Sequence, residues 1–172
     1  MNQGLNQGLS QIDVDATLGN IADRLRPLLD KNPVMIGIHS GGAWIAQRLH
    51  ALLGLSEPIG TLDISFYRDD FTRIGLNPQV KASDLPFNVE DRHVILVDDV
   101  LHTGRTMRAA MNEIFDYGRP ASIQLTVLLC RDGRELPIQA DVVGETVALK
   151  PNQQIKLTGP EKLSLVIQEV NP

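Results

Sequence analysis

The 172-residue sequence predicts an α/β fold: a mostly parallel central sheet flanked by helices, with short C-terminal antiparallel strands. Two observations predict it. Apolar runs rich in β-branched residues alternate along the chain with stretches of helical period, the pattern of a parallel sheet with right-handed crossovers. Two of the strand-to-helix junctions, 39–42 and 98–104, combine glycine with polar or acidic residues, and open sheets of this class bind ligands at the carboxyl ends of their strands.

The elements follow in order. Val14, Leu18, Ile21, Ala22, Leu25, Leu28 and Leu29 recur at helical spacing and predict an amphipathic helix over 14–30, which Pro27 should bend or end. The apolar run 34–38 predicts a strand. A helix through Trp44, Ile45, Leu49 and Leu52 comes next, with Gly54 placed to cap it. Residues 59–66 alternate as a strand. Residues 67–87 are polar, contain Pro78 and Pro86 and show no period, and a loop of that length in a compact domain is usually functional or mobile. Val94, Ile95, Leu96 and Val97 form a buried strand that ends in two carboxylates, Asp98 and Asp99. After a short loop, 100–104, a helical pattern starts near Arg105 and runs through Met107, Ala110, Met111, Ile114 and Phe115. A strand covers 122–130. Beyond Pro137 the pattern changes, and 141–147, 154–157 and 163–170 read as short antiparallel strands.

Composition sets the class. Hydrophobic residues at 42% and charged residues at 22% are ordinary for a globular protein, and the length suits one domain over 1–172, with 1–12 as a frayed lead-in that repeats Asn-Gln-Gly-Leu. No apolar run approaches the roughly 20 residues of a membrane helix, and the first residues lack the basic and apolar parts of a signal peptide. A single cysteine, Cys130, excludes an internal disulfide and reads as buried filler. These features place the expected location in the cytoplasm. The net charge of −5 argues against a protein-wide affinity for nucleic acid and leaves a local basic face open. The four histidines lack zinc-site spacing.

The segment 94–106 carries the chemistry. The first amides of a helix have no partners within it and, with the helix dipole, favour a phosphate. Gly104 lets the backbone turn closely, and Thr103 and Thr106 add hydroxyls at the same place. Asp98 and Asp99 can accept hydrogen bonds from ribose hydroxyls or hold magnesium directly or through water. One ligand with a ribose, a phosphate and a magnesium-bound pyrophosphate uses every part. A P-loop and a dinucleotide fold both lack their glycine signatures.

These residues resemble the 5-phosphoribosyl 1-diphosphate (PRPP) signature of type I phosphoribosyltransferases. Phe66-Tyr67-Arg68-Asp69-Asp70, Gly118-Arg119-Pro120, Ser122-Ile123-Gln124-Leu125 and Arg134-Glu135-Leu136-Pro137-Ile138 resemble one subfamily of them, the bifunctional pyrimidine-operon regulators with uracil phosphoribosyltransferase activity. The likeness runs with few gaps over about 36–144. It implies the type I phosphoribosyltransferase fold with a flexible lid. It also implies that Asp98, Asp99, Val100, Leu101, His102, Thr103, Gly104, Arg105 and Thr106 bind the phosphate and ribose of PRPP or UMP, with Asp98 and Asp99 catalytic and serving Mg2+. His39, Ser40, Gly41 and Gly42 would form the pyrophosphate loop, and Arg68, Asp69, Asp70 and Arg73 the lid. Arg131, Arg134, Asp141 and Val142 would border the base pocket, although Arg134-Glu135-Leu136-Pro137 also reads as a rigid turn held by an ion pair.

Two departures from the subfamily pattern stand out. Ser40-Gly41-Gly42 replaces Thr-Arg-Gly, which removes a guanidinium suited to pyrophosphate, and Glu145-Thr146 follows Gly144 where relatives carry Lys-Asn. The implied reaction is uracil plus PRPP giving UMP and pyrophosphate. Two alternatives remain open: an RNA-binding attenuator that senses UMP and reads pyrimidine leader RNA, and a transferase for another nucleobase. A homodimer or higher homo-oligomer is implied, with Trp44 and residues 49–55 as interface candidates, although core burial is the more ordinary explanation for them.

Overall fold

Asp13 starts the first helix by accepting a hydrogen bond on Oδ1 from the Ala16 amide at 3.1 Å. A computed structural model describes residues 11–64 and 83–171. Helix α1, Val14–Leu25, buries Val14, Thr17, Leu18, Ile21, Ala22 and Leu25 on one face. It is shorter than the periodicity predicts. With Pro27 inside the pattern, the chain tightens into a 3-10 helix, Arg26–Lys31, and stops at Asn32, whose φ is 49°.

Strand β1, Val34–Ile38, is buried throughout. Helix α2, Gly41–Leu53, follows after two residues and ends where Gly54, at φ 63°, donates its amide to the His50 carbonyl. Strand β2 is only Gly60–Leu62. Strand β3 runs His93–Leu101, helix α3 Arg105–Tyr117 and strand β4 Ser122–Arg131. Strand β5, Val142–Val147, completes a five-stranded sheet in the order β2-β1-β3-β4-β5, in which every pairing is parallel. Strands β6, Gln153–Thr158, and β7, Ser164–Glu169, form a separate antiparallel pair.

The sheet corrects two expectations. The change of pattern beyond Pro137 predicts an antiparallel strand over 141–147, yet β5 is parallel. The connecting chain returns to the start of β4 without a helix: the Asp141 amide donates to the Leu125 carbonyl at 2.9 Å and the Leu125 amide to Asp141 Oδ2 at 2.8 Å. The signature strand is also longer than the apolar run. Asp98, Val100 and Leu101 pair with Val127, Leu129 and Cys130 of β4, so the loop shrinks to three residues, 102–104. Pairing of β3 with β1 reaches only Val97, and the acids therefore stand where one neighbouring strand has already turned away.

The sheet separates two apolar layers. On one side α1 and α2 pack against Met35, Ile95, Val97 and Leu128. On the other, Met107, Ala109, Ala110 and Ile114 of α3 pack against Val34, Ile36, Ile38, Val94 and Leu96. The helices that follow β1 and β3 thus lie on opposite faces, and the crevice between those two strand ends is where such sheets take ligands. No described helix is long and apolar enough to cross a membrane.

Candidate functional site

Two helix N-termini open side by side at this crevice. Gly37 allows the approach of α2, because a Cβ there would stand 2.7 Å from Ala43 Cα. The start of α2 then rests on the end of β3. A Cβ on Gly42 would meet the Val97 carbonyl oxygen at 2.6 Å and Asp98 Cα at 2.9 Å, and one on Gly41 would meet Asp99 Cγ at 2.9 Å. The pyrophosphate-loop candidates Gly41 and Gly42 therefore touch the two acids, and a side chain at position 41 would require the Asp99 carboxylate to move. His39 is half-buried, its amide donates to the Leu62 carbonyl at 2.9 Å, and the His39-Ser40 peptide is cis.

Asp98 is 3% exposed and its Oδ1 accepts the Asp99 amide at 2.8 Å. Asp99 is half-buried and its Oδ1 accepts the Val100 amide at 2.8 Å. Val97 and Val100 both pack toward the α1–α2 layer while Leu101 packs toward the other, so the two-residue alternation slips across the acids. Val100 and Leu101, read as loop, are strand residues whose side chains belong to the cores.

The turn 102–104 follows these acids at the end of the same strand. Gly104 has φ 94°, a conformation that favours glycine. The first intrahelical bond of α3 runs from the Arg108 amide to the Gly104 carbonyl at 3.0 Å, which leaves Thr106 and Met107 with no helix carbonyl to bind. Thr103 Oγ1 accepts the Arg105 amide at 3.2 Å. The exposed His102 ring lies over Gly133, where a Cβ would come 2.8 Å from Nε2. Burial of part of the ring, then the Arg131 charge, hold its pKa below 6.5, against the opposing pull of Asp132 and Glu135.

The base-pocket candidates do not stay together. Arg131, at the carboxyl end of β4, gives Nη1 to the Gln153 carbonyl at 3.2 Å. Arg134 donates to the His102 carbonyl and, at 3.2 Å, to Cys130 Sγ. Asp141 is occupied at Leu125 and Val142 is buried in the core, both at the opening end of β5, away from the crevice. The ion pair foreseen within Arg134-Glu135 joins Glu135 to Arg105 instead, at 2.9 Å. Sequence reasoning did not find Gly133, Glu135 or Leu136 as supports of the turn; a helix-free crossover leaves no periodic signal. The lid candidates Arg68, Asp69, Asp70 and Arg73 lie outside the described residues. Among the described residues no group of three or more His, Cys, Asp or Glu side chains is placed to hold a metal ion.

Comparison with known proteins decides the family. The phosphoribosyl transferase domain model matches residues 6–158. The chain belongs to the phosphoribosyltransferase family. Within that family it is similar to the protein named Bifunctional protein PyrR of Nitrosococcus oceani, 58% identical over 167 residues and 94% of each chain. The protein of the same name from Pseudomonas paraeruginosa is 56% identical over 142 residues, 83% of this chain and 84% of that one. Together these matches bear out the subfamily resemblance seen in the sequence. Among solved structures, the hypoxanthine phosphoribosyl transferase of Trypanosoma cruzi superposes with a TM-score of 0.64 at 25% identity, covering 79% of this chain and 74% of that one. A purine phosphoribosyltransferase from Pyrococcus horikoshii gives 0.59 at 26% identity, covering 80% and 87%. The family fold is thus shared with proteins named as purine phosphoribosyltransferases.

Proposed function

We propose that the chain transfers a ribose 5-phosphate unit from PRPP to uracil, giving UMP and pyrophosphate. The observation that carries this reading is the contact of the glycine-bearing start of α2 with an acidic strand end, Gly41 and Gly42 on Asp99 and Asp98, while α3 starts four residues after the same strand ends. A ligand with anionic groups at two ends and a diol between them matches that arrangement. Uracil as the base is supported by similarity to the PyrR proteins.

The chemistry needs little covalent work from side chains. Breaking the bond at the anomeric carbon leaves positive charge on the sugar ring and negative charge on pyrophosphate, so catalysis is positioning and charge stabilisation. The turn 102–106 holds the 5-phosphate, a remote handle whose binding energy orients the reacting carbon. Asp98 and Asp99 accept the ribose hydroxyls and present carboxylate oxygens to the reacting centre. Amides at the start of α2 receive the departing pyrophosphate in place of a guanidinium. Adjacent carboxylates beside a pyrophosphate site suit Mg2+, which needs only one or two protein ligands because phosphates and waters complete its shell. When bound there at Asp98 and Asp99, it would neutralise charge on the leaving group.

The test is consumption of PRPP with Mg2+ and each free nucleobase. Uracil-dependent release of pyrophosphate is expected; turnover with a purine or orotate instead would replace uracil in this reading. Assembly as a homodimer or higher oligomer in the cytoplasm belongs to the same proposal, and light scattering of the purified protein tests the assembly. Trp44, the interface candidate, is half-buried, and its indole packs against Gly159 within the chain, where a Cβ would be 2.9 Å from Cε3.

A second role is supported by the word bifunctional in the relatives' name: UMP-responsive binding of pyrimidine leader RNA. A UMP-stimulated, salt-dependent gel shift is the expected result; no shift at low salt removes this role.

A further inference from the structure

The crossover 132–141 does more than join β4 to β5. Its residues 134–138 lie against Gly104, with Leu136 Cβ 3.5 Å and Arg134 Cδ 3.6 Å from the place a Cβ would occupy. There it captures two successive carbonyls of the anion-facing turn. Arg134 Nη1 takes the His102 carbonyl. The Glu135 and Leu136 amides take the Thr103 carbonyl at 2.9 and 3.1 Å.

A trans peptide is planar and sets its C=O and N–H on opposite sides, and neither of these peptides is cis. Pinning the His102 carbonyl toward the crossover turns the Thr103 N–H away from it. Pinning the Thr103 carbonyl does the same to the Gly104 N–H. Two adjacent donors are thereby aimed together on the side of the turn that the crossover leaves open. Three neutral or local contacts hold the second carbonyl and the helix start, but the first depends on one side chain. That side chain is itself tethered, through Nη2 to Cys130 Sγ at 3.2 Å.

The geometry points to Arg134 as a positioning residue for the sugar-phosphate end of the substrate: it orients the His102-Thr103 peptide so that its N–H meets the phosphate. This rests on the proposed transfer from PRPP. Arg134 itself touches no substrate; it acts through the backbone, by fixing in advance a donor that would otherwise have to reorganise.

The test compares Arg134→Met and Arg134→Lys with the unaltered protein, binding PRPP, UMP and uridine by calorimetry. Arg134→Met is expected to weaken PRPP and UMP about tenfold and to leave uridine, which lacks the phosphate, unchanged. In turnover, the KM for PRPP rises by a similar factor while kcat and the KM for uracil hold. Arg134→Lys, which can still donate to the His102 carbonyl, recovers part of the affinity. Equal losses for UMP and uridine, or no loss for either, overturn the assignment. If Arg134→Met does not fold, amide spectra of the unaltered protein decide: the Thr103 and Gly104 protons shift with UMP and not with uridine, and no shift at either position overturns it. A protein that binds PRPP but no uracil compound would sink the uracil reading while the PRPP arm still judges Arg134.

Discussion

Gly41, at the start of α2, lies flat against the carboxylate of Asp99, at the end of β3: a Cβ built on Gly41 would stand 2.9 Å from Asp99 Cγ. With Gly42 on Asp98, this contact joins the two halves of the crevice, and a methyl group on Gly41 would displace the Asp99 carboxylate.

Gly41→Ala is expected to push the Asp99 carboxylate out of place. Misplacement of a reacting group by about 1 Å costs on the order of a hundredfold in rate, so kcat/KM for PRPP should fall by about that factor. Thermal unfolding read beside the kinetics separates this from global damage; full activity in a folded variant would show that Asp99 does not serve the reaction from this position.

Asp99→Asn keeps the shape and removes the charge, and Thr106→Ala removes one hydroxyl from the first turn of α3. Both proteins should fold. A hydrogen bond to a charged partner is worth about 1.5–3 kcal/mol, so Thr106→Ala is expected to raise the KM for PRPP about tenfold or more. Asp99→Asn should depress turnover further. Wild-type rates of uracil-dependent pyrophosphate release in both variants would refute these roles.

His102 gives a pH dependence. Burial of part of its ring, and after that the Arg131 charge, lower its pKa below 6.5 in the folded protein. Between that lowered value and 6.5 the unfolded chain binds the proton and the folded one does not, so stability rises with pH across this window. The contribution is therefore complete above 6.5 and lost as pH falls through it to the folded value. A dianionic phosphate at the turn favours the charged ring. UMP should accordingly raise the His102 pKa. An imidazole titration by NMR that is unchanged by UMP would place the phosphate elsewhere.

Gly144 tests the parallel placement of β5. A Cβ there would meet the Leu128 carbonyl oxygen at 2.5 Å and Thr17 Cγ2 at 2.6 Å, because α1 lies directly on the strand. Overpacking of this kind costs about 1–3 kcal/mol, and Gly144→Ala should lower the urea midpoint accordingly while leaving substrate KM values near those of the unaltered protein. An unchanged midpoint would mean that α1 and β5 do not meet in this way.

Much of this arrangement was legible in the residues. The run Val94 to Val97, the acids after it and the helical period from Arg105 fixed the order strand, acids, turn, helix, because apolar periodicity reports burial directly. The end of β3 was not legible: Asp98 and Asp99 look like a strand terminus, yet β4 continues to pair past them. The direction of β5 was hidden for a related reason. Its crossover has no helix, and parallel pairing there depends on Asp141 meeting Leu125, 16 residues away in sequence. The family resemblance puts Arg134 beside the base; its partners within the chain, the His102 carbonyl and Cys130 Sγ, are backbone and tertiary facts that no local pattern encodes.

The most direct test of the central claim is a crystal structure with UMP and Mg2+. The account predicts the 5-phosphate on the amides of the 102–106 turn and the ribose hydroxyls on Asp98 and Asp99, with Gly41 and Gly42 bordering the position left by pyrophosphate. UMP seated elsewhere on the molecule, with both carboxylates bonded only to protein, would contradict it.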